Sequence, residues 1–337
     1  MGSSTTAAPI FIVGSPRSGT TLIRQLLDRH PSIAICDETH FLPLVYARRK
    51  AFGDLAVESN RRRLISEYLV NRHFKRASLN APELAERLSR EAISYQAMFT
   101  SILTYYADLQ GKRRIGEKSP QHALHLETLR EWFRDSLIIH MVRDPRACVA
   151  SMLHKPWSRG SALGNALRWM KLSQAARKFR GQPGYLEVRY EALVTDPDGE
   201  LRKVCAFVNE EYSPLMLAAE GSFSTDGRTR DRARRSVSSE RLGVWRQELS
   251  EAQVAQIEWA LGPNLESFGY AREASPASAL TVLRGLGGAA FGFARYLMPR
   301  LPAACYRFAA PAKLAKYDHW TGPRIWSEDS KQTRKEA

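Results

Sequence analysis

Residues 10–27 read IFIVGSPRSGTTLIRQLL: a β-branched and aromatic run from Ile10 to Val13, the loop Gly14 to Thr21, then apolar residues at helical spacing. The run predicts a buried strand, and the spacing predicts a helix that His30-Pro31 stops. Strand, small polar loop and helix together make the geometry in which backbone N–H groups and a helix N-terminus hold a phosphate. The glycine spacing matches a nucleotide-binding P-loop, yet Thr20 stands where that loop carries its lysine. The missing lysine argues against grip on the β- and γ-phosphates of ATP and for a nucleotide with a single 5′-phosphate group. Arg17 brings positive charge into the loop from another position.

Working outward, the apolar runs Ser32 to Cys36 and Leu137 to Val142 read as strands, the second most clearly, and Arg114 to Glu117 and Tyr185 to Arg189 are further candidate strands. Helical patterns fill Phe41 to Lys50, Asn60 to Leu109, Pro145 to Leu153, Ser161 to Phe179, Asp198 to Phe207 and Ser250 to Leu261. Strands alternating with helices indicate a parallel sheet covered on both faces. The predicted fold is therefore α/β, a three-layer P-loop-like fold with a helical lid inserted between about Phe41 and Gln110. Gly221 to Ser239 is polar, Arg-rich and aperiodic, hence a loop. Beyond Ala274 the composition shifts to Gly, Ala, Pro and scattered Arg. This divides the chain into a catalytic domain, 1–273, and a basic, apolar appendage, 274–337.

A chain of 337 residues with 44% hydrophobic content can bury a full core, and its net charge of +15 implies an anionic partner. Four dispersed cysteines argue against a disulfide framework and against a thiolate metal site. No segment carries the ~20 apolar residues of a membrane span and the polar start does not resemble a signal peptide, so the expected location is cytoplasmic.

Further residues gather at the predicted strand ends. Arg143 follows Leu137–Val142, where ligands sit in open α/β sheets. Asp144 can cap the next helix, Pro145 suits its first position, and Ser151 lies two turns in. Cys36-Asp37-Glu38-Thr39 follows the second strand on the same edge, and Gly116-Glu117-Lys118-Ser119-Pro120 closes the third. His122 and His125 share helical i,i+3 spacing, a two-ligand pair without an obvious third, which reads as helix surface.

Pro16 to Leu22, and more broadly Ile10 to Arg49, resembles the 5′-phosphosulfate loop of the sulfotransferases that use 3′-phosphoadenosine 5′-phosphosulfate (PAPS). The likeness is greatest to bacterial sulfotransferases and to the tyrosylprotein sulfotransferases, and it continues in patches to about Tyr270. It implies that Arg17, Ser18, Gly19, Thr20 and Thr21 hold the 5′-phosphosulfate. Arg143, Ser151 and Lys155 would hold the 3′-phosphate. Tyr190 of Val188-Arg189-Tyr190-Glu191 would contact the nucleotide or serve as a core tyrosine, and Arg235 and Arg246 of the segment 235–246 would close over the 3′-phosphate. The resemblance makes Glu38 the base that takes the acceptor proton, with Asp37 as competitor and His40 in reserve. Lys118, helped by Arg17, would stabilise the leaving bisphosphate, with Glu117 able to pair with the lysine. No metal is expected, because PAPS lacks the polyphosphate that magnesium bridges. The tyrosylprotein enzymes carry basic residues just after the catalytic motif, where this chain has His40 and Leu44. That departure favours a carbohydrate, lipid or small-molecule hydroxyl over protein tyrosine.

Two rivals remain at this level. A P-loop kinase of small molecules is opposed by Thr20. A nucleic-acid-binding module is opposed by dispersed basic residues without interleaved aromatics. The stretch Leu280 to Met298, with Arg284 and Arg295 among its apolar residues, either lies on an anionic membrane surface or packs on the catalytic core.

Overall fold

The structure, a computed structural model, describes residues 8–70, 79–155, 158, 160–218, 237 and 239–297. The chain enters through β1 (Ile10–Gly14), turns into α1 (Thr20–Asp28) and returns as β2 (Ile33–Asp37). Among the described residues, the longer helices before the next strand are α2 (Glu58–Leu69), α3 (Ala81–Glu91) and α4 (Tyr95–Asp108). Then come β3 (Arg114–Lys118), β4 (Leu137–Val142), α5 (Pro145–Leu153), α6 (Ala162–Arg177) and β5 (Tyr185–Arg189). The remaining long helices are α7 (Pro197–Phe207), α8 (Glu251–Leu261) and α9 (Ala279–Leu297). The five strands make one parallel sheet in the order β2-β3-β1-β4-β5, with Ile10 opposite both Gly116 and Leu137.

Successive side chains of a strand point to opposite faces, and both faces of this sheet are apolar. Phe11, Val13, Ala34 and Cys36 pack with the insertion helices on one side. Ile10, Ile12, Ile33, Ile35, Ile139 and Met141 pack with α1 and α7 on the other. Phe99 of α4 stacks between Phe11 and Phe41, with ring centroids 6.1 and 5.1 Å away. Each of these buried rings contributes roughly 1.5–3 kcal/mol, so the trio fastens the insertion to the sheet directly below the Glu38 loop.

The five expected strands and the helical insertion are all present. The stretch from Phe41 to Lys50, expected to be helical, is so in short pieces. It is broken into Phe41–Leu44, a 3₁₀ turn Tyr46–Arg48, and Arg49–Phe52. Tyr46 sets the break by packing edge-on against Trp132 at 4.8 Å and Tyr95 at 5.7 Å, and a single helical turn has too little stability of its own to resist. At α4 the local signals agree with the outcome, since Ser94 accepts the Ala97 N–H at 3.1 Å as N-cap.

The appendage is described as far as Leu297 and packs as a helix on the rest. Gln256 of α8 donates to the Thr281 carbonyl at 2.9 Å, and the backbone of Gly288 lies close to Ser161 at the start of α6. α9 thus packs against α6 and α8, while its Leu280, Leu283 and Leu286 remain exposed. Among the described residues, no helix is long and apolar enough to cross a membrane.

Candidate active site

The loop between β1 and α1 runs through three positive φ angles, at Gly14, Arg17 and Gly19 (150, 73 and 96°). A Cβ on Gly14 would meet the Met141 carbonyl at 2.5 Å, and one on Gly19 would meet the Tyr190 ring at 2.5 Å. Glycine is therefore required at both positions for conformation and for space. Ser18 is fully buried and its hydroxyl donates to the Ser15 carbonyl at 2.7 Å, so its side chain shapes the loop. The loop ends at Gly19, the N-cap of α1, which offers no side-chain oxygen to the amides of Thr20 and Thr21. Amides in that situation suit an anion.

Arg17 Nε donates to Ser151 Oγ at 2.9 Å, and Arg143 donates to the Arg17 carbonyl at 3.3 Å. The Arg143 guanidinium lies 4.0 Å from the centre of the Tyr190 ring, which is 8% exposed. Tyr190 thus belongs both to the core and to the wall beneath Arg143. Asp144 caps α5 by accepting the Arg146 N–H at 2.8 Å, with Pro145 in the first turn. Lys155 sits on the turn that ends α5. Arg235 lies outside the described residues.

Arg143 also lines a cavity of about 350 Å³ together with Arg189, Arg241, Trp245, Arg246 and Tyr270. Arg246 is ion-paired with Glu273 at 2.8 Å and covers the Trp245 ring at 4.5 Å. Arg241 belongs to the segment 235–246 expected to close over the 3′-phosphate, whereas Arg189 and Tyr270 escaped the sequence reading. Arg189 had a usable signal, as the last residue of a strand ending on the same sheet edge as Arg143. Tyr270 had none, because a loop brings it there.

The other half of the edge is drier. Lys118 ends β3 with 1% exposure, and its Nζ lies 2.6 Å from Asp37 Oδ1, 2.7 Å from Glu38 Oε1 and 3.4 Å from Thr21 Oγ1. Glu38 Oε2 is 3.1 Å from His40 Nε2. Burial pushes the Glu38 pKa up, but the Lys118 ammonium and the His40 hydrogen bond outweigh it and hold the carboxyl well below its usual range. Asp37 is lowered the same way, burial being overcome by Lys118 and Arg24. For Lys118, burial favours the neutral amine and the two carboxylates reverse that, so it stays charged.

Two expectations need correction. Glu117 does not pair with Lys118: adjacent residues of a strand face opposite ways, and Glu117 turns to Thr39, Ser119 and His122. His122 is not on a helix surface. It is fully buried in a 3₁₀ turn, Pro120–His125, that packs behind β3, its Nδ1 3.0 Å from Glu117 Oε2. Burial lowers its neighbour His125 to about 4, followed by repulsion from His122.

This edge joins a phosphate-type loop, an arginine cavity and a lysine–carboxylate cluster, the equipment of a group-transfer enzyme that grips an anionic nucleotide. The profile of the sulfotransferase family matches residues 9–214, more than half of the chain. The chain belongs to the sulfotransferase family. It is 26% identical over 274 residues to a putative protein-tyrosine sulfotransferase of Caenorhabditis briggsae, covering 77% of this chain and 88% of that one. The nodulation protein NoeE of Sinorhizobium fredii is 27% identical over 78% of this chain and 68% of its own length. Among solved structures, the sulfotransferase domain of the Synechococcus PCC 7002 olefin synthase superposes with a TM-score of 0.54 at 22% identity, covering 80% of this chain and 98% of that domain. The kinase alternative falls with the family assignment.

Proposed function

We propose that the chain moves the sulfuryl group of PAPS onto a hydroxyl of a carbohydrate, lipid or small molecule, with 1–273 as the catalytic unit and 274–337 as its appendage. The observation that carries this reading is Lys118, dry and charged, touching both Glu38 and the first turn of the loop helix at Thr21. PAPS supplies the sulfuryl group and a bisphosphate leaving group. The α1 amides and Arg17 would hold the 5′-phosphosulfate, and Arg143, Ser151, Lys155 and Arg246 the 3′-phosphate. The acceptor oxygen forms its bond to sulfur while the bond from sulfur to the 5′-phosphate oxygen breaks and its electron pair stays on that phosphate. Glu38 takes the hydroxyl proton. Lys118 and Arg17 offset the charge growing on the phosphate oxygen.

The low pKa of Glu38 fits this scheme through its cause. While Lys118 sits on the carboxylate, Glu38 is a weak base. An ammonium drawn toward a leaving phosphate leaves burial less opposed, and the carboxylate gains basicity when a proton must be taken. His40, spent on Glu38, is the partner of the base in this scheme.

Incubation with ³⁵S-labelled PAPS and fractionated cell extract, followed by mass spectrometry of the labelled product, tests the reading. A sulfated sugar, lipid or small alcohol supports it, and absence of label in every fraction contradicts it. The second reading, protein tyrosine, is favoured by the name of the Caenorhabditis briggsae relative, and label on peptide tyrosine would establish it.

A further inference from the structure

We propose that Glu117 and His122 form a buried positioning device that sets the Glu38 loop against Lys118, an inference that rests on reading those two as the reacting pair. Glu117 is 1% exposed and His122 0%. Glu117 Oε1 accepts the Thr39 N–H at 3.0 Å and the Thr39 hydroxyl at 2.8 Å. The Thr39 oxygen in turn accepts the Phe41 N–H at 3.2 Å. Ser119 Oγ donates to Glu117 and accepts the His40 N–H at 3.3 Å. His122 Nε2 accepts the Leu42 N–H at 3.4 Å. Four consecutive backbone amides, at residues 39–42, therefore end on one buried hub.

His122 Nδ1 lies 3.0 Å from Glu117 Oε2, and among the described residues neither atom has a hydrogen-bond partner.

Three consequences point to positioning. Glu38 directly precedes the tethered amides, and Glu117 and Ser119 flank Lys118 in sequence, so one cluster fixes both members of the 2.7 Å pair. His40 is held at φ 49°, a left-handed conformation that is unfavourable for a non-glycine residue and persists only where surrounding contacts impose it. Misplacement of a reacting group by about 1 Å can cost on the order of 10²-fold in rate.

The test compares Thr39→Val, Thr39→Ser and His122→Phe with wild type and with Glu38→Gln. It measures kcat and KM with labelled PAPS and the acceptor fraction identified above, and adenosine 3′,5′-bisphosphate affinity by calorimetry. Thr39→Val and His122→Phe should lose about 10–100-fold in kcat with bisphosphate Kd changed by less than about twofold, while Thr39→Ser keeps most activity. If His122→Phe does not fold, the Thr39 pair decides alone. Unchanged kcat in folded Thr39→Val beside an inactive Glu38→Gln overturns the positioning role. Full activity of Glu38→Gln overturns the base assignment, and this proposal with it.

Discussion

The two ends of the active edge handle charge in opposite ways. At β2 and β3, the Lys118 side chain is 2% exposed and sits between carboxylates already within 2.7 Å. At β4 and β5, Arg143, Arg189, Arg241 and Arg246 line an open cavity, and Arg246 keeps 53% of its side chain in solvent. In low dielectric a charge acts strongly and must be placed well, whereas an open site needs charge density and room for a ligand to enter. The first region suits chemistry and the second suits binding. Substitutions in the two should therefore change different kinetic parameters.

The largest effect is expected from Glu38→Gln, which should lower kcat by roughly 10²–10⁴ while leaving bisphosphate affinity nearly unchanged. If Glu38→Gln keeps most activity and His40→Ala does not, the base is His40. Lys118→Ala should cost about 10²–10³ in kcat through lost stabilisation of developing charge. A pure KM effect would move Lys118 to the binding half. Across the edge, Arg143→Ala should weaken bisphosphate binding roughly tenfold or more, since a charge-assisted contact contributes about 1.5–3 kcal/mol. Calorimetry with AMP, which lacks the 3′-phosphate, should register little of that loss.

A smaller effect concerns acid stability. The folded-state pKa of Glu38 is depressed, so its contribution is fully present above the ordinary carboxylate value of about 4.3 and fades as pH falls through the folded value. The Tm advantage of wild type over Glu38→Gln should accordingly shrink below about pH 4. A gap that widens there would mean that Glu38 is not stabilised by Lys118. The smallest effect is expected from Glu273→Ala. Its partly exposed pair with Arg246 contributes about 0–1 kcal/mol, and stability should barely move.

Much of this was legible along the chain. β1, β2 and β4 announced themselves by short apolar runs, and Arg17, Arg143, Ser151 and Tyr190 met because strand ends of a parallel sheet share one edge. What stayed hidden depends on which strands are neighbours. The insertion separates β2 from β3 in sequence, and nothing in either segment says that β3 lies between β2 and β1. The contact of Lys118 with Asp37, and the hub of Glu117, Thr39 and His122, follow from that order. His122 was misread because i,i+3 spacing marks a shared face without saying whether it looks in or out. The breaks inside the helical Phe41–Lys50 stretch were not legible, since Tyr46 packs there on Trp132 and Tyr95, which lie far along the chain.

The most direct test of the division between the two regions is one paired measurement on Glu38→Gln and Arg143→Ala: kcat for ³⁵S transfer from PAPS and Kd for adenosine 3′,5′-bisphosphate. The account predicts a fall of roughly 10²–10⁴ in kcat with near-native Kd for Glu38→Gln. For Arg143→Ala it predicts Kd raised roughly tenfold or more with a far smaller change in kcat. Losses in the same parameter for both variants would contradict it.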